Sequence, residues 1–282
     1  MHKDKEDAMN KKESLFNSTE YIETLLSDTS DSQIFDLSHE LISMDNPIVN
    51  TMWDQSKEIL NSLVEFKELM MMYKCAIKEV KTKFEVLNTE FEIRYQRNPI
   101  NFIDSRLKRT TSIIEKMRKR NIPFSIKNIE YHINDVAGVR VICSYVDDIY
   151  TIAKALTQQD DIKLIEQKDY IAHPKPNGYR SLHLIVSVPV NFAEQKKHIK
   201  VEVQIRTITM DSWASLEHQL RYKQQIAEGV EIAEQLKECA NLISEIDSRM
   251  LNIRMKIEAN SSDPTEEEIL FRKLSKIDTP IE

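Results

Sequence analysis

The sequence predicts a mixed α/β (α+β) core, a β-sheet of about five strands flanked by helices, with long heptad-patterned helices on either side in the chain. Three observations carry this. First, His198 to Arg206, written HIKVEVQIR, alternates without a miss. Ile199, Val201, Val203 and Ile205 point to one side and Lys200, Glu202, Gln204 and Arg206 to the other, because successive strand side chains face opposite ways. Second, strand-like and helix-like segments interleave from residue 137 to residue 206. Third, apolar residues recur at spacings of four and three from Ile59 to Phe91 and again from Ile232 to Ile257, the signature of long helices with an apolar seam.

Taken in order, residues 1–50 form an acidic extension rich in Ser, Thr, Asp and Asn, read as largely disordered with a short amphipathic helix around Ile34 to Ile42. Residues 51–96 read as one heptad helix, since no proline lies between Pro47 and Pro99. Residues 97–226 hold the mixed domain. Asp104 reads as the cap of a basic helix over 105–120, with strands near 137–144, 162–171, 182–190 and 198–206. Helices are expected at 146–158 and 213–225. Residues 227–282 form a helical segment with the second seam, and DPTE at 263–266 is a capping box opening a short terminal helix. The two seams can zip together, pack on the sheet, or meet copies of themselves.

Charge is unevenly spread along the 282 residues, whose formal net charge is −7. Residues 97–224 carry 21 basic and 14 acidic side chains, whereas 1–50 carry 4 and 11, and 225–282 carry 7 and 13. A basic middle inside an acidic protein points to an anionic ligand held in one place rather than to general attraction for nucleic acid. The three glycines, Gly138, Gly178 and Gly229, are isolated. Neither a P-loop nor a dinucleotide fingerprint can be written with them, so phosphate must be held by Lys and Arg side chains or through a metal. Cys75, Cys143 and Cys239 are odd in number and lie in apolar segments, which argues against a disulfide framework. No apolar run reaches membrane-spanning length and no leader-like segment opens the chain, so a soluble cytoplasmic protein without membrane association is expected. Zinc hydrolase and serine-esterase motifs are absent.

Three stretches bear chemistry. SRLKRTTSIIEKMRKR at 105–120 holds seven Lys or Arg and one Glu; it is either a solvated helix face or a polyphosphate clamp whose arginines stack on a purine. INDVAGVRVIC at 133–143 puts Asp135 just before a buried strand and Arg140 within it. Asp135 either caps a turn or joins Glu202 of a neighbouring strand as a hard oxygen ligand for Mg²⁺, which keeps its other positions for water and substrate phosphate. KPNGYRSLH at 175–183 begins as a turn and ends in a strand. Tyr179, flanked by Lys175, Arg180 and His183, either packs or offers its face to a base.

These stretches together resemble the synthetase domain of the RelA/SpoT family, and the chain resembles its small alarmone synthetases. RLK at 106–108 with SIIEK at 112–116, DVAGVRV at 135–141, NGYRSLH at 177–183, and EVQIRT at 202–207 followed by WASLEH at 213–218 match in order. The resemblance implies a nucleotidyltransferase-like fold and transfer of pyrophosphate from ATP to the 3′-hydroxyl of GDP or GTP, with GMP a further candidate acceptor. It implies that Arg106 and Arg118 embrace adenine, with Lys119 beside them where an arginine is frequent. Lys108, Ser112, Lys116 and Arg140 then hold the ATP phosphates. Asp135 binds Mg²⁺ with help from Glu202, which also acts as base. Tyr179 stacks on guanine, Lys175, Asn177 and His183 hold the acceptor, and Gln204 and Arg206 line the same face. Lys168 stands near the acceptor where an arginine is common, and Asp211 replaces a more usual Asn or His.

The resemblance further implies a homo-oligomer, a tetramer, assembled through the helix at 230–257. A single-stranded RNA regulator is a further candidate partner. No His-Asp dipeptide occurs, so synthesis without the hydrolase activity of the long relatives is expected. Two other readings remain at this point. One is a toxin-like relative acting on adenine nucleotides or tRNA, which would show at Lys168 and Asp211. The other is a non-catalytic nucleotide or RNA-binding module, which would have no use for the acidic pair.

Overall fold

The structure, a computed structural model, describes residues 47–95, 97–223 and 229–260. The chain divides into two compact units, residues 1–65 and 66–282. Helix α1 (Pro47–Tyr95) supplies the described part of the first unit and begins the second. The extension expected to be disordered, the helix around Ile34 to Ile42 and the terminal helix after DPTE lie outside the described residues or, for 47–50, inside α1.

In the second unit the order is β1 (Ile100–Leu107), α2 (Thr110–Lys119), α3 (Ile126–His132), β2 (Ala137–Cys143), α4 (Val146–Thr157), β3 (Lys163–Asp169), β4 (Leu182–Asn191), β5 (Lys196–Thr207), α5 (Ile208–Lys223) and α6 (Gly229–Asn260). The five strands form one sheet in the order β1-β2-β5-β4-β3. Only β2 and β5 run parallel; the other pairs are antiparallel. This is the mixed five-stranded α+β core expected from the sequence.

The alternation on β5 separates two environments. Val201, Val203 and Ile205 are fully buried and Ile199 nearly so, in one core with Val139 and Val141 of β2, Leu184 and Val186 of β4, Ile149 and Ile152 of α4, and Tyr73, Val80 and Phe84 of α1. The α1 seam therefore packs into the sheet core between Tyr73 and Leu87. The opposite face collects polar side chains, because pairing aligns Glu202 with Gly138 and Gln204 with both Arg140 and His183.

Three expectations are corrected. The basic helix over 105–120 is two elements: residues 105–107 end an edge strand, and α2 begins only at Thr110 with Arg109 as its cap. Antiparallel pairing with β2 satisfies the β1 backbone, and the helix starts where Ile113 and Met117, four apart, can both be buried. Asp104 is thus no helix cap; its carboxylate accepts from the Ser105 amide at 2.8 Å on the strand. Helix α5 starts at Ile208 rather than 213. The α6 seam, whose partner the sequence left open, has Leu236 and Ile243 half-buried beside the buried Ala240 and Asp247, whereas Ile246, Met250, Ile253 and Ile257 are exposed. The short helix α3, opened by Ser125 accepting from the Asn128 amide, was not anticipated.

Polar anchors fix the helices. Asp148, in the first turn of α4 and 1% exposed, pairs with Arg97 and lies 3.9 Å from Arg254 of α6. Its acidity suits a helix N-terminus. Among the described residues no helix is long and apolar enough to cross a membrane. Replacing Asp148 by Ala leaves the Arg97 guanidinium without its carboxylate, whereas Arg254 keeps Asp147 and Glu258; urea unfolding is expected to register a loss of about 1–3 kcal/mol.

Candidate active site

Each strand delivers alternate side chains to the polar face. The register aligns Asp104 and Arg106 of β1 with Arg140 and Gly138 of β2, then Gln204 and Glu202 of β5, His183 and Ile185 of β4, and Lys168 and Glu166 of β3. Arg106 lies across Gly138: a Cβ there would stand 3.4 Å from Arg106 Cγ. A cavity of about 450 Å³ opens on this face, lined among others by Arg106, Arg140, Tyr179, Gln204 and Arg206 and, from α5, Glu217 and His218. A second, about 160 Å³, is lined by Glu166, Lys168, Tyr170, Lys175, His183 and Glu202.

Asp135, in the turn before β2, is held by two lysines. Lys108 Nζ is 2.9 Å from Oδ2 and Lys116 Nζ 2.7 Å from Oδ1. Lys108 thus acts from the loop after β1 and Lys116 from α2. Burial pushes the Asp135 carboxyl up, but the hydrogen bonds and charges of Lys116 and Lys108 outweigh it and hold the group below the usual carboxylate range. Glu202 is likewise depressed. Burial raises it, His183 and Gln204 lower it by more, and Asp135 is close enough to raise it slightly. Both carboxylates are thus anionic near neutrality.

Around Glu202 the side chains close a ring. Gln204 Nε2 donates to Glu202 Oε2 at 2.9 Å, and its Oε1 accepts from Arg206 Nη2 at 2.7 Å. Arg206 Nη2 also donates to the Tyr179 hydroxyl at 2.6 Å, and that hydroxyl lies 2.8 Å from His183 Nε2. The other ring nitrogen of His183, Nδ1, stands 3.6 Å from Glu202 Oε1.

Tyr179 has Lys175 Nζ 4.7 Å and Arg206 Cζ 5.1 Å from its ring centroid, and Tyr170 meets it edge-on at 6.0 Å. A base stacking on this ring shares it with those cations or displaces one of them. Asn177 Oδ1 accepts from the Tyr179 amide at 3.2 Å, while its Nδ2 donates to Glu217 at 3.2 Å. Lys168 pairs with Glu166 at 2.9 Å.

The remaining expected residues gather less closely. Ser112 is half-buried on α2, and Arg118 and Lys119 are exposed in its last turn. Other residues have no binding role in the sequence reading, and Asp211 stands there only as a position where the acceptor side departs from the family pattern. Asp211, from the first turn of α5, accepts from Arg140 at 3.1 Å and from Arg206 at 3.0 Å, so it ties together two cations from neighbouring strands. Asp104 adds a second carboxylate 3.9 Å from Arg140. Tyr170, Glu217 and His218 line the cavities. Two of these, Glu217 and His218, lie inside the WASLEH block, which was the available signal.

With this geometry in view, comparison with known proteins is specific. Residues 105–227 match the family described as a region found in RelA / SpoT proteins. The GTP pyrophosphokinase YwaC of Bacillus subtilis is 40% identical over 194 residues, 69% of this chain and 92% of that protein. The chain belongs to the RelA/SpoT family, among its small alarmone synthetases. The crystal structure of small alarmone synthetase 1 from Bacillus subtilis bound to its product pppGpp superposes with a TM-score of 0.62 at 36% identity, covering 68% of this chain and 98% of that one. The same synthetase bound to AMPCPP gives 0.58 at 33% identity, covering 68% and 97%.

Removing one of the two lysines that hold Asp135 should be visible directly. In Lys116→Met, the Asp135 carboxyl is expected to titrate at higher pH than in the parent protein, measured by ¹³C NMR of the side chain. The depressed pKa means that the stability Asp135 contributes is present above the ordinary carboxylate pKa and is lost as pH falls through its folded value. That acid-dependent loss should shrink in the variant.

Proposed function

We propose that this protein transfers the β,γ-pyrophosphoryl group of ATP to the 3′-hydroxyl of GDP or GTP, making ppGpp or pppGpp and AMP, and so serves stringent-response signalling in the cytoplasm. The observation that carries the reading is the pair Asp135 and Glu202, both held anionic beside a face that presents Arg106, Arg140, Lys168 and Arg206. Simple anion or RNA binding has no need of it.

Lys108, Lys116 and Arg140 are the groups that receive the donor's phosphates. Each is already matched to a carboxylate, Lys108 and Lys116 to Asp135 and Arg140 to Asp211, so a triphosphate takes the place of side-chain anions. Ser112 and Arg106 support the donor, with Arg118 and Lys119 extending toward the adenine. Tyr179 receives guanine, and Lys168, Lys175, Asn177, His183, Gln204 and Arg206 hold the acceptor. Glu202, held by Gln204 and facing His183, takes the proton of the 3′-hydroxyl. As the 3′-oxygen bonds to Pβ, the bond between Pβ and its bridging oxygen to Pα breaks, and AMP leaves.

Asp135 and Glu202 fit Mg²⁺ by donor chemistry: two ionised hard-oxygen groups, with no set of three or more His, Cys, Asp or Glu side chains among the described residues able to hold a metal alone. The ion, when bound, supplies neutralisation of the triphosphate charge. Once phosphate draws Lys108 and Lys116 away, Asp135 is left as an anion in want of a counter-charge, which is the state a metal ligand needs.

The exposed α6 residues Ile246, Met250, Ile253 and Ile257 support a homo-oligomer, a tetramer, and light scattering at micromolar concentration should give a multiple of the 33.1 kDa chain mass. A monomeric mass would overturn that part of the reading.

The deciding assay incubates the protein with labelled ATP, Mg²⁺ and each of GMP, GDP, GTP, an adenine nucleotide and uncharged tRNA. A 3′-pyrophosphorylated guanine nucleotide with stoichiometric AMP is expected. Label on tRNA or an adenine nucleotide would reassign the acceptor, and no transfer would leave only binding. Glu202→Gln should lower turnover by about 10²–10⁴-fold, and Asp135→Asn comparably, with circular dichroism unchanged. Incubation with ppGpp and Mn²⁺ should release no pyrophosphate.

A further inference from the structure

The motif NGYRSLH contains one basic residue that the proposed chemistry does not use, Arg180. It faces away from the cavities toward α6. Arg180 Nη1 donates to the Gly178 carbonyl at 3.1 Å and to the Ala240 carbonyl at 3.2 Å, and Nη2 donates to Asn241 Oδ1 at 3.2 Å. One guanidinium thus spans the turn and the helix, a task for its fixed fork of donors.

The turn itself is cut to the helix. Pro176 is the second residue of a turn closed by Gly178 N donating to Lys175 O at 2.8 Å. Gly178 adopts φ +89°, a conformation that side-chain-bearing residues rarely adopt. A Cβ there would also come within 2.5 Å of Ala240 Cβ and 3.2 Å of Lys237 Cα. Ala240 is 3% exposed. Beneath the contact, Trp213 Nε1 donates to the Leu236 carbonyl at 2.9 Å, one helical turn before Ala240. Thr207, at the end of β5, donates to the buried Asp247 at 2.8 Å. The helix is therefore fixed to the strand that carries Glu202 and to the turn that carries Asn177 and Tyr179.

We propose that α6 is a working part of the acceptor side of the site, with Arg180, Ala240 and Asn241 as positioning residues that set where Asn177 and Tyr179 stand. None of the three touches substrate. The proposal rests on the reading of this turn as the acceptor's. Its consequence is selective: seating of α6 governs affinity for the guanine nucleotide and leaves affinity for ATP alone, because Lys108, Lys116 and Asp135 are held by β1, α2 and the turn before β2.

The test measures KM for GDP and for ATP separately, and kcat, in the full-length protein. Arg180→Gln, Arg180→Lys, Asn241→Ala and Ala240→Leu are expected to raise KM for GDP, Ala240→Leu by about tenfold or more, with KM for ATP changed less than about twofold and kcat largely kept. Arg180→Lys should fail to rescue, since charge without the fork cannot bridge turn and helix. Gly178→Ala should be impaired, and adding Ala240→Gly should restore part of the loss by removing the opposed methyl. Fluorescence of Trp213 in a Trp53→Phe background reports the seating of α6 independently of activity, and should shift in Ala240→Leu. If Ala240→Leu does not fold, the Gly178→Ala and Ala240→Gly pair carries the test.

Equal rises in both KM values would overturn the inference. So would a neutral Asn241→Ala, or a double variant no better than Gly178→Ala. Asn177→Ala and Tyr179→Ala are the controls on the underlying reading. If they leave KM for GDP unchanged, the acceptor assignment is wrong and the inference goes with it; if they raise it while the α6 variants do not, only the inference is wrong.

Discussion

The site depends on the central position of β5. Its backbone is paired on both edges, parallel to β2 and antiparallel to β4, so its main-chain polar groups are used up within the sheet. Its two faces must then differ completely, since one lies against α1 and α4 and the other bounds the cavity. A one-residue slip would turn Glu202, Gln204 and Arg206 into the core and expose Val201, Val203 and Ile205. Burying three uncompensated polar or charged groups is far more costly than any local adjustment, so the register is fixed by the same residues that make up the polar face.

The polar face also shows how an ionised cluster is kept without water on every side. Glu202 is supported by Gln204 and faces His183; Asp135 has two ammonium groups; Asp211 joins Arg140 to Arg206. Lys200, the remaining polar residue of the β5 alternation, is spent differently. Its ammonium donates to the carbonyls of Glu130 and Tyr131 and to Asn134 Oδ1, closing the end of α3 and steadying the turn that presents Asp135.

Residues with strong periodicity were legible in the sequence, and those governed by tertiary context were not. β5 could be read because its alternation is strict, which put Glu202 on the polar face; Asp135 was marked by its place before a buried strand, and His183 gained a role only through the family resemblance. β1 could not, because an edge strand with exposed positions on both faces lacks the period-two signal, and its basic residues run on into a true helix. Which face of α6 packs was hidden for a related reason. The packed face mixes the half-buried Leu236, Ile243 and Leu251 with Ala240, Asp247 and the half-buried Arg254, while Ile246, Met250, Ile253 and Ile257 face outward. Asp211 was noticed as an acceptor-side departure and not as a structural tie, since nothing local says that it will bridge Arg140 and Arg206.

The internal pairing of the site's cations bears on selectivity among anions. A polyanion arriving alone, such as a stretch of RNA or inorganic polyphosphate, gains contact with Lys108 and Lys116 only by stripping Asp135 of both its partners, and a half-buried carboxylate left bare is costly. On the proposed chemistry, a nucleotide that arrives with its own divalent cation would return a positive charge to that carboxylate as it takes the lysines. On the proposed chemistry, Asp135 thus acts as a gate on counter-ion stoichiometry, admitting phosphate in company with metal and discouraging phosphate without it.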